Sequence, residues 1–123
     1  MLHQGAWNGE QIIDTEYVRK SVSPSSDLNR GYGRLWWLNS DGLVVSPALA
    51  ANGRGEQVPL TGPLVPTAGP ETFWAIGFQN QTLAVIPEKG IVAVRLGPKP
   101  PEEAPFSFQE LTVGVLEAAT DGR

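Results

Sequence analysis

The sequence contains no cysteine and a single histidine, and these two shortages remove several kinds of chemistry at once. Without cysteine the chain has no disulfide, no thiolate nucleophile and no sulfur ligand for a metal. With His3 as its one imidazole it has no multi-histidine metal site either. We therefore expect neither a metal nor another cofactor, and we interpret His3 as a polar residue at the end of a helix and not as a general base.

Basic residues are also few, nine Lys and Arg against thirteen Asp and Glu, and no segment concentrates them. A surface that follows a phosphate backbone needs clustered positive charge, so we expect no nucleic-acid partner. No apolar run approaches the length that crosses a membrane, and the first residues lack the basic start and long apolar core of a signal peptide. We expect a chain without a membrane segment, and the sequence leaves its compartment open.

A length of 123 residues is typical of one small domain, at the lower end for a complete enzyme. Residues 1–4 are typical of the last turn of a helix that begins upstream, with Gly5 as its cap. Asn8 and Gly9 then predict a tight turn. Asp14 predicts the N-cap of a helix over residues 15–22.

Aromatic and aliphatic residues in "YGRLWWLN", residues 32–39, predict a strand. Trp36 and Trp37 would then point to opposite faces, so both faces of the sheet need a cover. From residue 41 to 70, ten of thirty residues are Gly or Pro, which is typical of a long irregular excursion. A short strand at residues 43–45 is the one element we predict within it.

The segment "TFWAIG", "TLAVI", "PEKG", "IVAVRL" predicts strand, strand, turn and strand over residues 72–96. Ser107 followed three residues later by Glu110 predicts the start of a helix that runs to about Asp121. The order of elements indicates the α+β class, with an antiparallel meander flanked by helices in a single domain over residues 1–123.

Three quoted segments carry a resemblance to a known family: "GAWNGEQIIDTEYVRKSVSP", "YGRLWWL" and "FWAIGFQNQTLAVIPEKGIVAVRLG", followed by the C-terminal helix. In order and spacing they resemble the C-terminal part of the serine β-lactamase and penicillin-binding-protein superfamily. The class-C-like branch of esterases, D-aminopeptidases and nylon-oligomer hydrolases is the most similar. The resemblance implies a partial β-lactamase-like fold and, as parent activity, serine-dependent acyl hydrolysis.

The resemblance also implies a site at the end of the strand 73–77. Ala75, Ile76 and Gly77 match the third catalytic motif, usually Lys-Thr-Gly or His-x-Gly, and keep only its glycine. The backbone N–H of Phe78 would be an oxyanion-hole donor. Four further residues would form a substrate wall: Trp74, Gln79, Asn80 and Gln81. For Trp74, packing in the core is the competing interpretation.

The nucleophile of that family is absent, because no lysine of this chain has a serine three residues before it. No Tyr-x-Asn, Ser-x-Asn or Gly-x-Ser-x-Gly motif is present either. We therefore expect the chain to be inactive alone, with a missing N-terminal half as its partner. The alternative is a free-standing, non-enzymatic module that forms a homodimer. In the family sheet two further strands lie beside the one that matches residues 91–96, so their absence would expose an edge. Relatives are often periplasmic or secreted, which does not locate this chain.

Overall fold

The structure, a computed structural model, describes residues 2–45 and 59–121. It combines helices with antiparallel sheets, which confirms the predicted α+β class. No helix in the described ranges is long and apolar enough to cross a membrane. The elements are β1 (Ala6–Trp7), β2 (Glu10–Gln11), α1 (Thr15–Ser21), β3 (Trp37–Leu38), β4 (Gly42–Val44), β5 (Leu60–Gly62), β6 (Phe73–Ile76), β7 (Thr82–Ile86), β8 (Ile91–Arg95) and α2 (Phe108–Asp121).

In the N-terminal part, two elements form where short-range sequence patterns predict them, and one predicted element does not form. Asn8 and Gly9, with φ of 49° and 82°, make the tight turn that joins β1 to β2. The Asp14 carboxylate accepts a hydrogen bond of 2.9 Å from the Tyr17 amide and so caps α1. The expected helical turn before Gly5 is wrong: residues 2–5 form a turn, and Met1 lies outside the described residues.

Within the described residues, the central sheet has four antiparallel strands in the order β3-β6-β7-β8. Its two faces differ in their cover. One face, which we call the helix face, holds Trp37 and Trp74 and packs against α2. The other, which we call the open face, holds a smaller buried cluster of Leu38, Phe73 and Val85.

The two adjacent tryptophans lie on opposite faces, as predicted. Trp36 packs edge-on against Phe73, with ring centroids 5.1 Å apart, on the open face. Trp37 lies on the helix face and contacts Tyr32, with ring centroids 4.6 Å apart. The prediction of a strand over residues 32–39 is wrong in its first half, since only Trp37 and Leu38 are strand. Leu35 has φ of 68°, and Tyr32 bridges back to Trp37, so residues 32–37 form a tight turn.

The Gly- and Pro-rich excursion is partly structured. The predicted strand appears as β4, one residue earlier than expected, and it pairs with β5, which the sequence analysis did not predict. Residues 46–58 of the excursion lie outside the described residues. After β5, the loop is fastened to the sheet by Asn39, which is 1% exposed. Its Nδ2 donates to the carbonyls of Val65 and Ala68, each at 2.9 Å, and its Oδ1 accepts from the Val65 amide at 2.9 Å.

Candidate functional site

The candidate site lies where β6 ends, because its backbone there lacks a strand partner on one side. The Asn39 amide donates to the Thr72 carbonyl at 3.0 Å, which shows that Thr72 faces β3. The backbone N–H and C=O groups of every second residue point to the same side of a strand, so those of Ile76 also point toward the side on which β3 lies. However, β3 pairs only with Phe73 and Trp74. Strand β6 is thus paired with β3 in its first half and, within the described residues, has no strand partner beside Ile76.

The turn that follows β6 is short and unusual in its backbone. Residues 78–80 form one turn of 3-10 helix in which Gln79 and Asn80 have positive φ of 57° and 62°. The turn is closed by bonds of 2.8 Å from the Gly77 amide to the Gln81 carbonyl and 3.3 Å from the Gln81 amide to the Phe78 carbonyl. Gly77 itself has φ of −107°, which any residue adopts, and a Cβ there would meet only ordinary contacts. Neither strain nor local crowding therefore explains the glycine.

Two long side chains hold this turn in place. The Gln81 amide group pairs with the backbone of Gly97 in both directions, donating to its carbonyl and accepting from its N–H at 3.0 Å. The Arg95 guanidinium donates to the Gln79 carbonyl at 3.2 Å and lies 4.9 Å from the ring centroid of Phe106. The sequence analysis missed Arg95, although a lone cation in the apolar strand β8 was a usable signal. These contacts fasten the turn to β8 and to the segment after it, and we call residues 77–81 the platform.

Phe78 presents an unused donor on that platform. Its side chain is 87% exposed. No oxygen in the described part of the chain accepts a hydrogen bond from its backbone N–H. A fixed, unpaired N–H at the end of a strand can stabilise negative charge on a ligand oxygen, because no reorganisation is needed to aim it.

An open apolar groove of about 350 Å³ runs beside the turn on the open face. No ionisable side chain of the described residues lines it, and the one hydroxyl that these residues place there, on Thr82, donates to the Asn80 carbonyl at 3.1 Å. The groove therefore offers neither a general acid or base nor a free nucleophile. Its lining residues include Leu35, Ala75, Gly77, Leu83, Val94 and Leu96.

The structure brings most of the predicted site residues together but moves one of them away. The assignment of Trp74 to a substrate wall is wrong, since its side chain is fully buried on the helix face. Its Nε1 donates to the Thr112 hydroxyl at 3.0 Å, and its ring packs edge-on against Phe108. Gln79 and Asn80 are exposed on the turn.

The remaining predicted positions divide between groove and core. Gln81 is half-buried, and its amide is committed to Gly97. Ala75 lines the groove on the open face, whereas Ile76 also packs against the core of the helix face. Among the described residues, the groove beside the turn is therefore lined by backbone groups and uncharged side chains.

No family model, no curated protein and no solved structure matches this chain. Within residues 2–45 and 59–121, no three His, Asp or Glu side chains are grouped closely enough to hold a metal ion. The geometry of the β6 turn and of the sheet edges is therefore what bears on function.

Proposed function

We propose that this chain is the C-terminal portion of a serine β-lactamase-like acyl hydrolase, which carries the oxyanion-side strand but no nucleophile. The observation that carries the proposal is the unpaired Phe78 amide, held at the end of β6 by a hydrogen-bonded turn whose residues Gly77 and Gln81 line an open groove. In acyl transfer, such a donor acts on the oxyanion that forms in the transition state.

The chemistry of the surrounding residues supports catalytic silence of the chain alone. None of the described residues that line the groove is ionisable, and the sequence has no Ser-x-x-Lys pair to supply an activated hydroxyl. Without a nucleophile, an oxyanion donor leaves at most a weak residual rate enhancement. The nucleophile and its base would come from a separate N-terminal half.

Hydrolysis of p-nitrophenyl acetate and of a chromogenic β-lactam by the purified chain tests this silence. We expect no rate above the buffer blank. Phe78→Pro removes the N–H at the first position of a 3-10 turn, which accepts proline, and Phe78→Ala keeps the N–H. A rate that follows the protein concentration, is lost in Phe78→Pro and is kept in Phe78→Ala would show that the chain is an enzyme by itself.

A second candidate function is a free-standing, non-enzymatic module that self-associates through β8. A specific observation favours it: β8 is the last strand of the sheet, and no described residue pairs with its outer side. Its side chains Val92 and Val94 are 49% and 56% exposed on the open face. Exposed apolar edge strands tend to pair with another strand.

Light scattering after size-exclusion chromatography, over a range of loading concentrations, tests this second candidate. We expect the mass to rise from 13.2 kDa toward twice that value. A monodisperse monomer at the highest concentration would contradict self-association and leave the hydrolase proposal as it stands.

A further inference from the structure

The backbone groups on the free side of β8 can be identified from the register of the sheet. In an antiparallel pair every second residue points its N–H and C=O toward the same neighbour. The direction of the backbone groups alternates in this way along β6, β7 and β8. The backbone groups that bond inward to β7 are therefore those of Ile91, Ala93 and Arg95. Val92 and Val94 therefore point their backbone groups outward, where no described residue accepts or donates.

The free edge continues one residue beyond β8. Gly97 is held in line by the side-chain amide of Gln81, which bonds to both its N–H and its C=O and so extends the ladder. By the same alternation, the backbone N–H and C=O of Leu96, between Arg95 and Gly97, form the third outward-directed set. The Leu96 side chain is 77% exposed. We call Val92, Val94 and Leu96 the edge triplet.

The edge triplet combines unpaired backbone with exposed apolar side chains. Proteins commonly protect an edge strand with proline, a bulge or an outward-pointing charge. None of these protects the edge triplet. The one charged residue of β8, Arg95, is directed to the β6 turn and to Phe106.

We propose that a second copy of this chain pairs with β8 in antiparallel orientation, across a twofold axis at Val94. This inference rests on the second candidate function and gives it a register. Val94 then lies opposite Val94 of the second copy, and Val92 lies opposite Leu96 of the second copy. Antiparallel pairing about a twofold axis is the arrangement in which one strand can be its own partner.

This register is preferred because it uses all of the free backbone groups. Three residues on each copy form pairs that exchange both N–H···O=C bonds. An axis at Ala93 or Arg95 would pair only two residues of the edge triplet on each copy. The facing side chains are all aliphatic, so the net charge of −4 on each chain brings no like charges into contact in these pairs.

The size of the contact predicts a weak dimer. Pairing two short strands and covering the edge triplet buries roughly 400–500 Å² per copy, whereas a standard interface buries about 800 Å² per partner. We therefore expect monomer and dimer to exchange, with the dimer dominant only at high protein concentration.

Cysteine cross-linking tests the register against a clean background, since the chain contains no cysteine. In Val94→Cys the two Cα atoms would lie about 5.5 Å apart, within the usual range of a disulfide. In Val92→Cys or Leu96→Cys alone, each cysteine would lie roughly 13 Å from its own copy, four residues along the strand. We expect a covalent dimer from Val94→Cys and from the double variant Val92→Cys/Leu96→Cys, and none from the two single controls.

A second pair of variants tests the edge without covalent chemistry. Val94→Lys places like charges opposite each other at the axis, and we expect the mass to fall to 13.2 kDa at a concentration where the unmodified chain is dimeric. Leu43→Lys, on the exposed side of β4, is the matched control and should leave the mass unchanged.

The outcomes separate the proposals. A mass that stays monomeric at every concentration overturns both the pairing and the self-associating module. A dimer whose single cysteine controls cross-link as well as Val94→Cys overturns the register alone. A dimer that persists in Val94→Lys would overturn the proposal that the two copies pair through β8. Ester hydrolysis by the chain alone bears only on catalytic silence.

Discussion

Removal of the Asn39 side chain is expected to be among the most damaging single truncations in the described part of the protein. Asn39 is 1% exposed and joins β3 to the loop after β5. In Asn39→Ala the Val65 N–H and the Ala68 carbonyl lose the only hydrogen bonds that the described residues give them. The Val65 carbonyl keeps a bond of 3.0 Å from the Ala68 amide.

The magnitude follows from these two orphaned groups. A buried polar group without a partner costs about 1–3 kcal/mol, so we expect the free energy of unfolding to fall by about 3–4 kcal/mol. For a domain of this size that corresponds to a decrease of roughly 12–16 °C in the melting temperature. Asn39→Asp keeps the shape and the acceptor for Val65, but it turns an oxygen toward the carbonyls of Val65 and Ala68. Its cost should be at least as large.

Urea unfolding followed by tryptophan fluorescence measures these changes, because the chain has four tryptophans. The unfolding should be measured at a protein concentration at which light scattering gives the mass of the monomer. Glu102→Ala, on an exposed turn, is the control and should change stability by less than about 0.5 kcal/mol. A loss below about 1 kcal/mol in Asn39→Ala, or an Asn39→Asp variant as stable as the unmodified chain, would refute the reasoning.

Three further predictions concern other contacts. Thr112→Val should cost about 2 kcal/mol in urea unfolding because the buried Trp74 Nε1 loses its acceptor, whereas Thr112→Ser should cost less than half as much. Gln81→Ala should cost about 1–2 kcal/mol and weaken the dimer measured by light scattering, since the extension of β8 is released. The hydrogen bond from Arg19, with the adjacent charges, lowers the pKa of Glu16 from 4.5 to about 2. The stability difference between Glu16→Gln and the unmodified chain should therefore be present above pH 4.5, vanish as the pH falls toward 2, and shrink in high salt because the pair is exposed.

Elements that depend on short-range chemistry could be predicted from the sequence. The Asn8-Gly9 turn, the Asp14 cap and the hairpin of β7 and β8 each depend on residues within a few positions of one another. The turn at Leu35 could not be predicted in this way. Its positive φ accompanies the bridge from Tyr32 to Trp37, whereas the aromatic and aliphatic residues of this segment favour a continuous strand.

The candidate site was predictable in place but not in detail. The sequence located the turn after β6, and the structure shows there the unpaired Phe78 amide. Alternation along the strand could not say which face α2 covers, so the sequence left core packing and a substrate wall as two interpretations of Trp74. The roles of Gln81 and Arg95 depend on partners about sixteen residues away in the chain, which no local pattern encodes.

The proposed β8 dimer and the proposed hydrolase portion make different demands on the sheet. A missing N-terminal half that added strands beside β8 would occupy the edge that a second copy uses. The two partners would then exclude each other, and an added N-terminal half should dissociate the dimer. The edge triplet is thus the place where the two proposals compete.

A chimera tests the claim that the end of β6 is an oxyanion-side strand. Residues 71–97 would replace the matching hairpin of an active class-C-like esterase, and kcat would be measured with p-nitrophenyl acetate. We predict residual activity in the folded chimera, a loss of roughly 10²–10³ in kcat with Phe78→Pro, and little change with Phe78→Ala, because only proline removes the donor. A folded chimera with no activity, or one in which both substitutions have the same effect, would contradict the claim.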